Sequence, residues 1–261
     1  MLALRDVTIR FGGLTALSRA SLNVAGGQIH SIIGPNGAGK TTLFNAITSV
    51  VQLSGGSIRL RGERIDGLAP YLVARRGIAR TYQNIRLFAN MTVLDNILVG
   101  REAHPSRSSG VLGALLRTRV ARRRDDEIHE HAFGLLENVG LTSRAGDLAR
   151  TLSYGDQRRL EIARALATDP KVLLLDEPAA GMNAQETSRL IGFIGSIREL
   201  YGLTILLIEH QMQVVMGISQ CITVLEYGRK IAEGTPDEIR RNPDVIRAYL
   251  GSRAAERAMQ S

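Results

Sequence analysis

Gly34-Pro35-Asn36-Gly37-Ala38-Gly39-Lys40-Thr41 decides the fold of this 261-residue chain, because its surroundings are those a phosphate-binding loop requires. The apolar run Ile29 to Ile33 precedes it as a strand, and Lys40 to Ile47 follows with helical spacing. Glycines let successive backbone N–H groups turn toward one anion, and the N-terminus of the following helix adds partial positive charge. Lys40 then reaches the outer phosphates of a nucleotide, while Thr41, followed by Thr42, supplies a hydroxyl for Mg²⁺. Of 33 basic residues only Lys40, Lys171 and Lys230 are lysines, so a chain that otherwise uses Arg places a compact point charge here.

The length suits one substantial α/β domain, or a core with a smaller subdomain. No apolar stretch approaches the length of a membrane span, and Met1 to Phe11 alternates like a strand rather than a signal peptide. Cys221 is the only cysteine, which excludes an intrachain disulfide and a multi-cysteine metal site. A soluble chain in the cytoplasm is expected. The net charge of +8 raises a nucleic-acid partner, but five Phe, six Tyr and no Trp leave little for base stacking, and most basic residues are scattered. The exception is Arg117 to Arg124, either a solvated helix face or a patch attracted to an anionic membrane or an acidic partner loop.

Two strand-rich stretches flank a helical middle. Leu2 to Phe11, Ser21 to Val24, Gln28 to Ile33, Ser57 to Leu60 and Ile78 to Tyr82 read as strands, with Gly26-Gly27 and Gly55-Gly56 as turns. Thr92 to Asp95 has the spacing of a capping box, and Leu94, Ile97 and Leu98 form the apolar face of a short helix. His104 to Gly113 reads as a loop, and Ile128, Ala132, Leu135, Leu136 and Val139 mark an amphipathic helix on which His129 and His131 face different ways, as surface residues. Strands return at Val172 to Leu175, Thr204 to Glu209, Ile222 to Glu226 and Lys230 to Ala232, with a helix from Ala184 to Leu200 between. Thr235-Pro236-Asp237-Glu238 starts a further helix, and the chain beyond Leu250 is a polar tail. The expected architecture is a parallel-sheet core interrupted by a helical insert over residues 88–155.

Val172 to Pro178 is an apolar strand ending in two carboxylates. Alone it would be a core strand and a turn; downstream of a phosphate loop, Asp176 becomes a metal-holding carboxylate and Glu177 the group that orients or deprotonates water. Leu152 to Gln157 opens another helix, with Ser153 and Asp156 at capping-box spacing and Gly155 exposed, either an ordinary cap or a second anion site.

The order of the phosphate loop, Gln83, Ser153-Tyr154-Gly155-Asp156, Asp176-Glu177 and His210 resembles that of ATP-binding cassette proteins over nearly the whole chain. The resemblance implies a P-loop NTPase (RecA-like) α/β core with an antiparallel β subdomain and a helical signature subdomain. Residues 1–87 and 156–235 would form the ATP-binding core, 88–155 the insert and 236–261 the C-terminal helices and tail. It implies a head-to-tail pair of cassettes, in which Ser153, Gly155 and Gln157 close over ATP held by the partner's phosphate loop. Gln83 would touch Mg²⁺ and the lytic water while sensing the membrane partner, and His210 would contact the γ-phosphate. Phe11 matches the aromatic that stacks on adenine, and could equally close its own strand in the core.

Two departures narrow the family. Tyr154 and Asp156 stand where Gly and Gln are usual in the signature, and Asn183 where Asp is usual in the loop after Glu177. With Thr81 to Phe88, Ser153 to Arg164, Ala179 to Asn183 and Tyr227 to Gly234, the chain resembles the LivG-type ATPases of branched-chain amino-acid importers. That resemblance implies a peripheral ATPase on the cytoplasmic face of the membrane, paired with a second cassette, two permease subunits and, indirectly, a solute-binding protein. Alternatives are a cassette for urea or other amides, the lipopolysaccharide exporter, or a non-transport cassette acting on nucleic acid. A GTPase is disfavoured because no Asn-Lys-x-Asp segment occurs.

Overall fold

The computed structural model describes residues 1–102 and 119–249, with side chains from residue 126 in the second stretch. The expected loop from His104 to Gly113, the side chains of Arg117 to Arg124 and the tail beyond Leu250 lie outside the described residues. Two compact units divide the chain, one of Met1–Ile78 with Lys171–Ser261 and the other of Ala79–Pro170.

In the first unit β1 (Leu2–Phe11) and β2 (Leu14–Val24) form a long antiparallel pair. β2 starts seven residues before the expected Ser21, because Leu14 and Leu17 pair with Phe11 and Ile9 across the hairpin. β3 (Ile29–Ile33) leads through the phosphate loop into α1 (Lys40–Ile47), and β4 (Gly55–Leu60) then joins the first sheet beside β1. The Gly55-Gly56 pair therefore lies in a strand rather than forming the expected turn. Gly56 has φ +89°, and a Cβ there would stand 2.4 Å from the Arg5 carbonyl, so its lack of a side chain permits the bulge against β1. Two short elements not expected from periodicity follow, β5 (Glu63–Arg64) and α2 (Pro70–Arg75), each too short to show a period.

β6 (Ile78–Arg80) lies where the chain passes into the second unit, which holds α3 (Val93–Glu102), α4 (Arg119–Asn138) and α5 (Tyr154–Leu166). Thr92 and Asp95 cap α3 reciprocally, as their spacing predicts: the Asp95 N–H donates to Thr92 Oγ1 at 3.0 Å and the Thr92 N–H to Asp95 Oδ2 at 3.3 Å. The buried face of α3 is rotated from the expected one and consists of Val93, Asn96, Ile97 and Gly100. Asn96 belongs there because its amide is fully engaged, accepting from Phe88 N–H at 2.9 Å and donating to the Phe88 and Thr92 carbonyls. Among the described residues α4 extends back to Arg119, ahead of its apolar stripe. Its expected apolar residues Ile128, Ala132, Leu135, Leu136 and Val139 are buried; His129 is exposed, while half-buried His131 has Nε2 3.6 Å from Asp169.

The chain returns to the first unit as β7 (Val172–Asp176), α6 (Ala184–Tyr201), β8 (Thr204–Ile208), α7 (Met212–Ile218), β9 (Cys221–Glu226), β10 (Arg229–Gly234) and α8 (Pro236–Arg241), followed by a helical run over 243–249. The six-stranded sheet has the order β10-β9-β3-β8-β7-β6, with β9, β3, β8 and β7 parallel and β10 antiparallel at one edge. Every residue of β3, β7 and β8 is buried, because parallel strands covered on both faces have no solvent side; β7 and β8 are accordingly almost wholly apolar, while β3 carries His30 and Ser31, whose side chains are hydrogen-bonded to Thr223 and Ser219. Among the described residues no helix is long and apolar enough to cross a membrane.

Candidate functional site

Ile32 of β3, Ile208 of β8 and Asp176 of β7 lie in register across three adjacent parallel strands. The segments leaving those strands therefore emerge side by side at their carboxyl ends, where open α/β sheets bind ligands. They are the phosphate loop, His210 and Glu177.

The loop curls because its glycines allow it. Gly34 has φ +149°, and a Cβ there would fall 2.0 Å from the Leu225 carbonyl oxygen of β9. Gly39, in the left-handed conformation, occupies the cap position of α1 without a side-chain cap, so the first helical N–H groups remain directed at the loop's concavity. Lys40 is buried, and its ammonium donates to the Gly34 and Pro35 carbonyls at 2.7 and 3.0 Å. Burial pushes Lys40 below the usual lysine range, while the Glu177 and Asp176 carboxylates push the other way. Below the loop, the hydroxyl of Tyr249 hydrogen-bonds the Gly34 backbone, and burial raises its pKa to about 12.

Glu177 takes φ +46°, an uncommon conformation for a residue other than glycine, and its N–H donates to the Ile208 carbonyl at 2.9 Å. Its Oε1 lies 2.5 Å from His210 Nε2. Between them sits Glu209, absent from the expected set because it reads as the last residue of a strand. It is 2% exposed, and burial raises its carboxyl above the ordinary range, against N–H donors from Ala179, Gln211 and His210 that lower it.

A cleft of about 580 Å³ is lined by Phe11, Leu14 to Ala16, Asn36 to Thr42, Glu177, His210 and Tyr227. Phe11 is half exposed at its wall, so the structure takes it out of the core. Tyr227 was not expected there; it is 86% exposed at the turn between β9 and β10, whose Gly228 N–H donates to the Ala38 carbonyl at 3.0 Å. Gly34 and Pro35 underlie the cleft through their contacts with Lys40, and Asp176 is buried at the end of β7. Asp176 and Thr41 are hard oxygen donors, and among the described residues no three His, Cys, Asp or Glu side chains gather as a metal cage. Oxygen donors of this kind fit Mg²⁺, which takes one or two protein oxygens and completes its shell with phosphates and water.

Gln83, Ser153, Gly155 and Gln157 belong to the second unit, where the Gln83 carbonyl accepts from Arg158 and the other three lie at the N-terminus of α5. Ser153 caps α5, its hydroxyl accepting from the Asp156 N–H at 3.2 Å; the Asp156 carboxylate pairs with Arg159 instead of completing the box. Gln157 Nε2 donates to the Leu152 carbonyl at 3.0 Å, and Gly155 faces open space. Arg158 is entirely buried: it pairs with Glu161 at 2.8 Å, donates to the Tyr82 and Gln83 carbonyls at 2.7 and 2.8 Å, and lies under the Tyr154 ring and hydroxyl. Tyr154 thus covers a buried guanidinium. The i,i+3 Arg158-Glu161 pair on an otherwise apolar helix face was the available signal for this strut.

The ABC transporter family profile matches residues 17–180, more than half of the chain. The chain belongs to the ABC transporter ATP-binding cassette family. A second profile, for branched-chain amino acid ATP-binding cassette transporters, matches residues 229–255 of the cassette. Over 251 residues the cassette is 49% identical to the high-affinity branched-chain amino acid transport ATP-binding protein BraF of Pseudomonas aeruginosa, covering 96% of this chain and 98% of that one. It is 48% identical, with the same coverage, to the protein LivG of Escherichia coli K12. The fold resembles the ADP conformation of an ATP-binding cassette of an ABC transporter, with TM-score 0.82 and 30% identity over 96% of this chain and 98% of that one. A nucleotide-free cassette gives TM-score 0.80 at 31% identity, covering 95% and 98%. The expected fold is borne out, and the cassette is an ABC ATPase.

Proposed function

We propose that this cassette is the ATP-hydrolysing subunit of a branched-chain amino-acid importer. The observation that carries hydrolysis is the meeting of the phosphate loop with the Glu177–His210 pair in one cleft. The near full-length likeness to BraF and LivG supports the transported class.

In this reading the loop N–H groups and Lys40 bind the β- and γ-phosphates, Lys40 exchanging its carbonyl partners for phosphate oxygens, and Phe11 stacks on adenine. Thr41, Asp176 and Gln83 would hold Mg²⁺, which when bound neutralises charge on the phosphate oxygens. Glu177 accepts a proton from water as the water oxygen bonds to the γ-phosphorus, and the bond from that phosphorus to the ADP oxygen breaks. His210, held by Glu177, steadies the γ-phosphate. Ser153, Gly155 and Gln157 act on ATP held by a second cassette, in a head-to-tail dimer that is a heterodimer with a sister subunit, so the chain alone hydrolyses ATP poorly. Gln83 to Phe88 receives one of two permease subunits at the cytoplasmic face of the membrane, and a solute-binding protein couples indirectly.

The test is detergent co-purification of the subunits followed by uptake in reconstituted vesicles. ATP-dependent accumulation of leucine, isoleucine or valine is expected; accumulation of urea or another amide alone would assign the cassette to a different importer.

A further inference from the structure

Glu209 places a buried carboxyl group immediately after β8, a strand whose residues are all apolar or threonine and buried. Its two oxygens are taken up by two different chain segments. Oε1 accepts from the Ala179 N–H at 2.8 Å, and Oε2 accepts from the His210 N–H at 3.1 Å, with the Gln211 N–H further out at 3.5 Å. Gln211 Nε2 returns to the Ala179 carbonyl at 3.1 Å, so Ala179 is held at both its N–H and its C=O. Ala179 stands two residues after Glu177, and the Ala180 N–H closes the turn on the Glu177 carbonyl at 3.1 Å. With the 2.5 Å contact from Glu177 Oε1 to His210 Nε2, the linkage is a closed ring running Glu177, Ala179, Glu209, His210 and back to Glu177.

A carboxylate removed from water is costly unless hydrogen-bonded donors replace the water. An apolar residue after β8 would be buried at lower cost but could bridge neither segment. We infer that Glu209 is a positioning residue for hydrolysis, clamping the backbone after Glu177 to the backbone at His210 and thereby setting the separation and orientation of that pair. This rests on Glu177 acting as the base. Glu209 does not line the cleft; it acts through Ala179 and His210. The same clamp fixes the start of the segment Ala179 to Asn183.

The test is steady-state ATP hydrolysis by the full-length chain, alone and with its co-purified subunits, for Glu209→Gln, Gln211→Ala and Glu177→Gln, with ATP affinity measured on each. Glu209→Gln is isosteric but leaves one acceptor oxygen for two segments. Its kcat is expected to fall on the order of ten- to a hundredfold, as a small misplacement does, while KM and ATP affinity stay within about twofold. Gln211→Ala, which leaves the carboxylate's own donors in place, should lower kcat severalfold with KM unchanged. Wild-type kcat in Glu209→Gln overturns the inference, as does a lowered Tm with kcat intact, the mark of a merely structural role. Should Glu209→Gln not fold, Gln211→Ala decides: reduced kcat at constant KM supports the clamp, and wild-type kcat overturns it. Glu177→Gln separates the two levels, because hydrolysis surviving in that variant removes the base assignment itself. A dead Glu177→Gln beside a fully active Glu209→Gln removes only the clamp.

Discussion

Arg158 donates to the backbone carbonyl of Gln83 at 2.8 Å from a site with no solvent exposure, so α5 physically holds the segment proposed to reach the metal and the lytic water. The guanidinium serves Tyr82 and Glu161 from Nη1 and Gln83 from Nη2, two separated nitrogens that the single nitrogen of an ammonium does not reproduce.

Replacing Arg158 by Ala leaves the Glu161 carboxylate buried at 2% side-chain exposure with its charged partner gone. The expected loss is about 3–5 kcal/mol, read by chemical denaturation, with Arg158→Lys recovering little of it. A loss below about 1 kcal/mol, the scale of an exposed pair, would contradict the strut.

Lys40→Ala should weaken ATP binding roughly ten- to a hundredfold, since a charge-assisted hydrogen bond to phosphate is worth about 1.5–3 kcal/mol. Because the ammonium bonds just two carbonyls of its own loop among the described residues, Gly34 and Pro35, the fold itself should survive. Equilibrium binding of a fluorescent ATP analogue checks this, and unchanged affinity would contradict it.

His30, fully buried in β3 with Nε2 2.8 Å from the Thr223 hydroxyl, has its pKa lowered from 6.5 to about 4. Burial is the main cause; Glu233 opposes it and Lys230 adds to it. Between those values the unfolded chain binds a proton that the native chain refuses. Stability is therefore complete above pH 6.5, falls as pH drops toward 4 and levels off below that. At about 1.4 kcal/mol per pH unit the loss approaches about 3 kcal/mol. Urea midpoints against pH should show this slope in the wild type and lack it in His30→Gln; parallel slopes would contradict it.

The parallel core was legible because buried strands have no polar face: Val172 to Leu175 and Thr204 to Glu209 announce themselves as apolar runs ending in charge. The phosphate loop was legible because glycine and lysine at that spacing serve few other purposes. What stayed hidden depended on long-range pairing. Leu14 belongs to β2 only because Phe11 is opposite, and Glu209 matters only because Ala179 is brought beside it. Tyr227 reaches the cleft because the β9–β10 turn folds against Ala38, which no local pattern encodes.

Asn183 has a structural role that an Asp would fill equally well. Its Oδ1 accepts from the Gln185 and Glu186 N–H groups at 3.0 Å each, and its own N–H donates to Glu186 Oε2 at 2.9 Å, a complete capping box for α6. Asn183→Ala should cost about 1 kcal/mol and Asn183→Asp almost nothing, since Asp caps equally well. Thermal melts of the two variants check this; equal melting temperatures would contradict the cap.

The most direct measurement is ATP hydrolysis by Glu177→Gln in the assembled complex, alongside ATP binding by the same variant. Gln keeps the shape at Glu177 and removes the proton acceptor, so hydrolysis should fall at least on the order of a hundredfold while ATP remains bound as tightly as in the wild type. Hydrolysis near the wild-type rate would show that the group 2.5 Å from His210 is not the base.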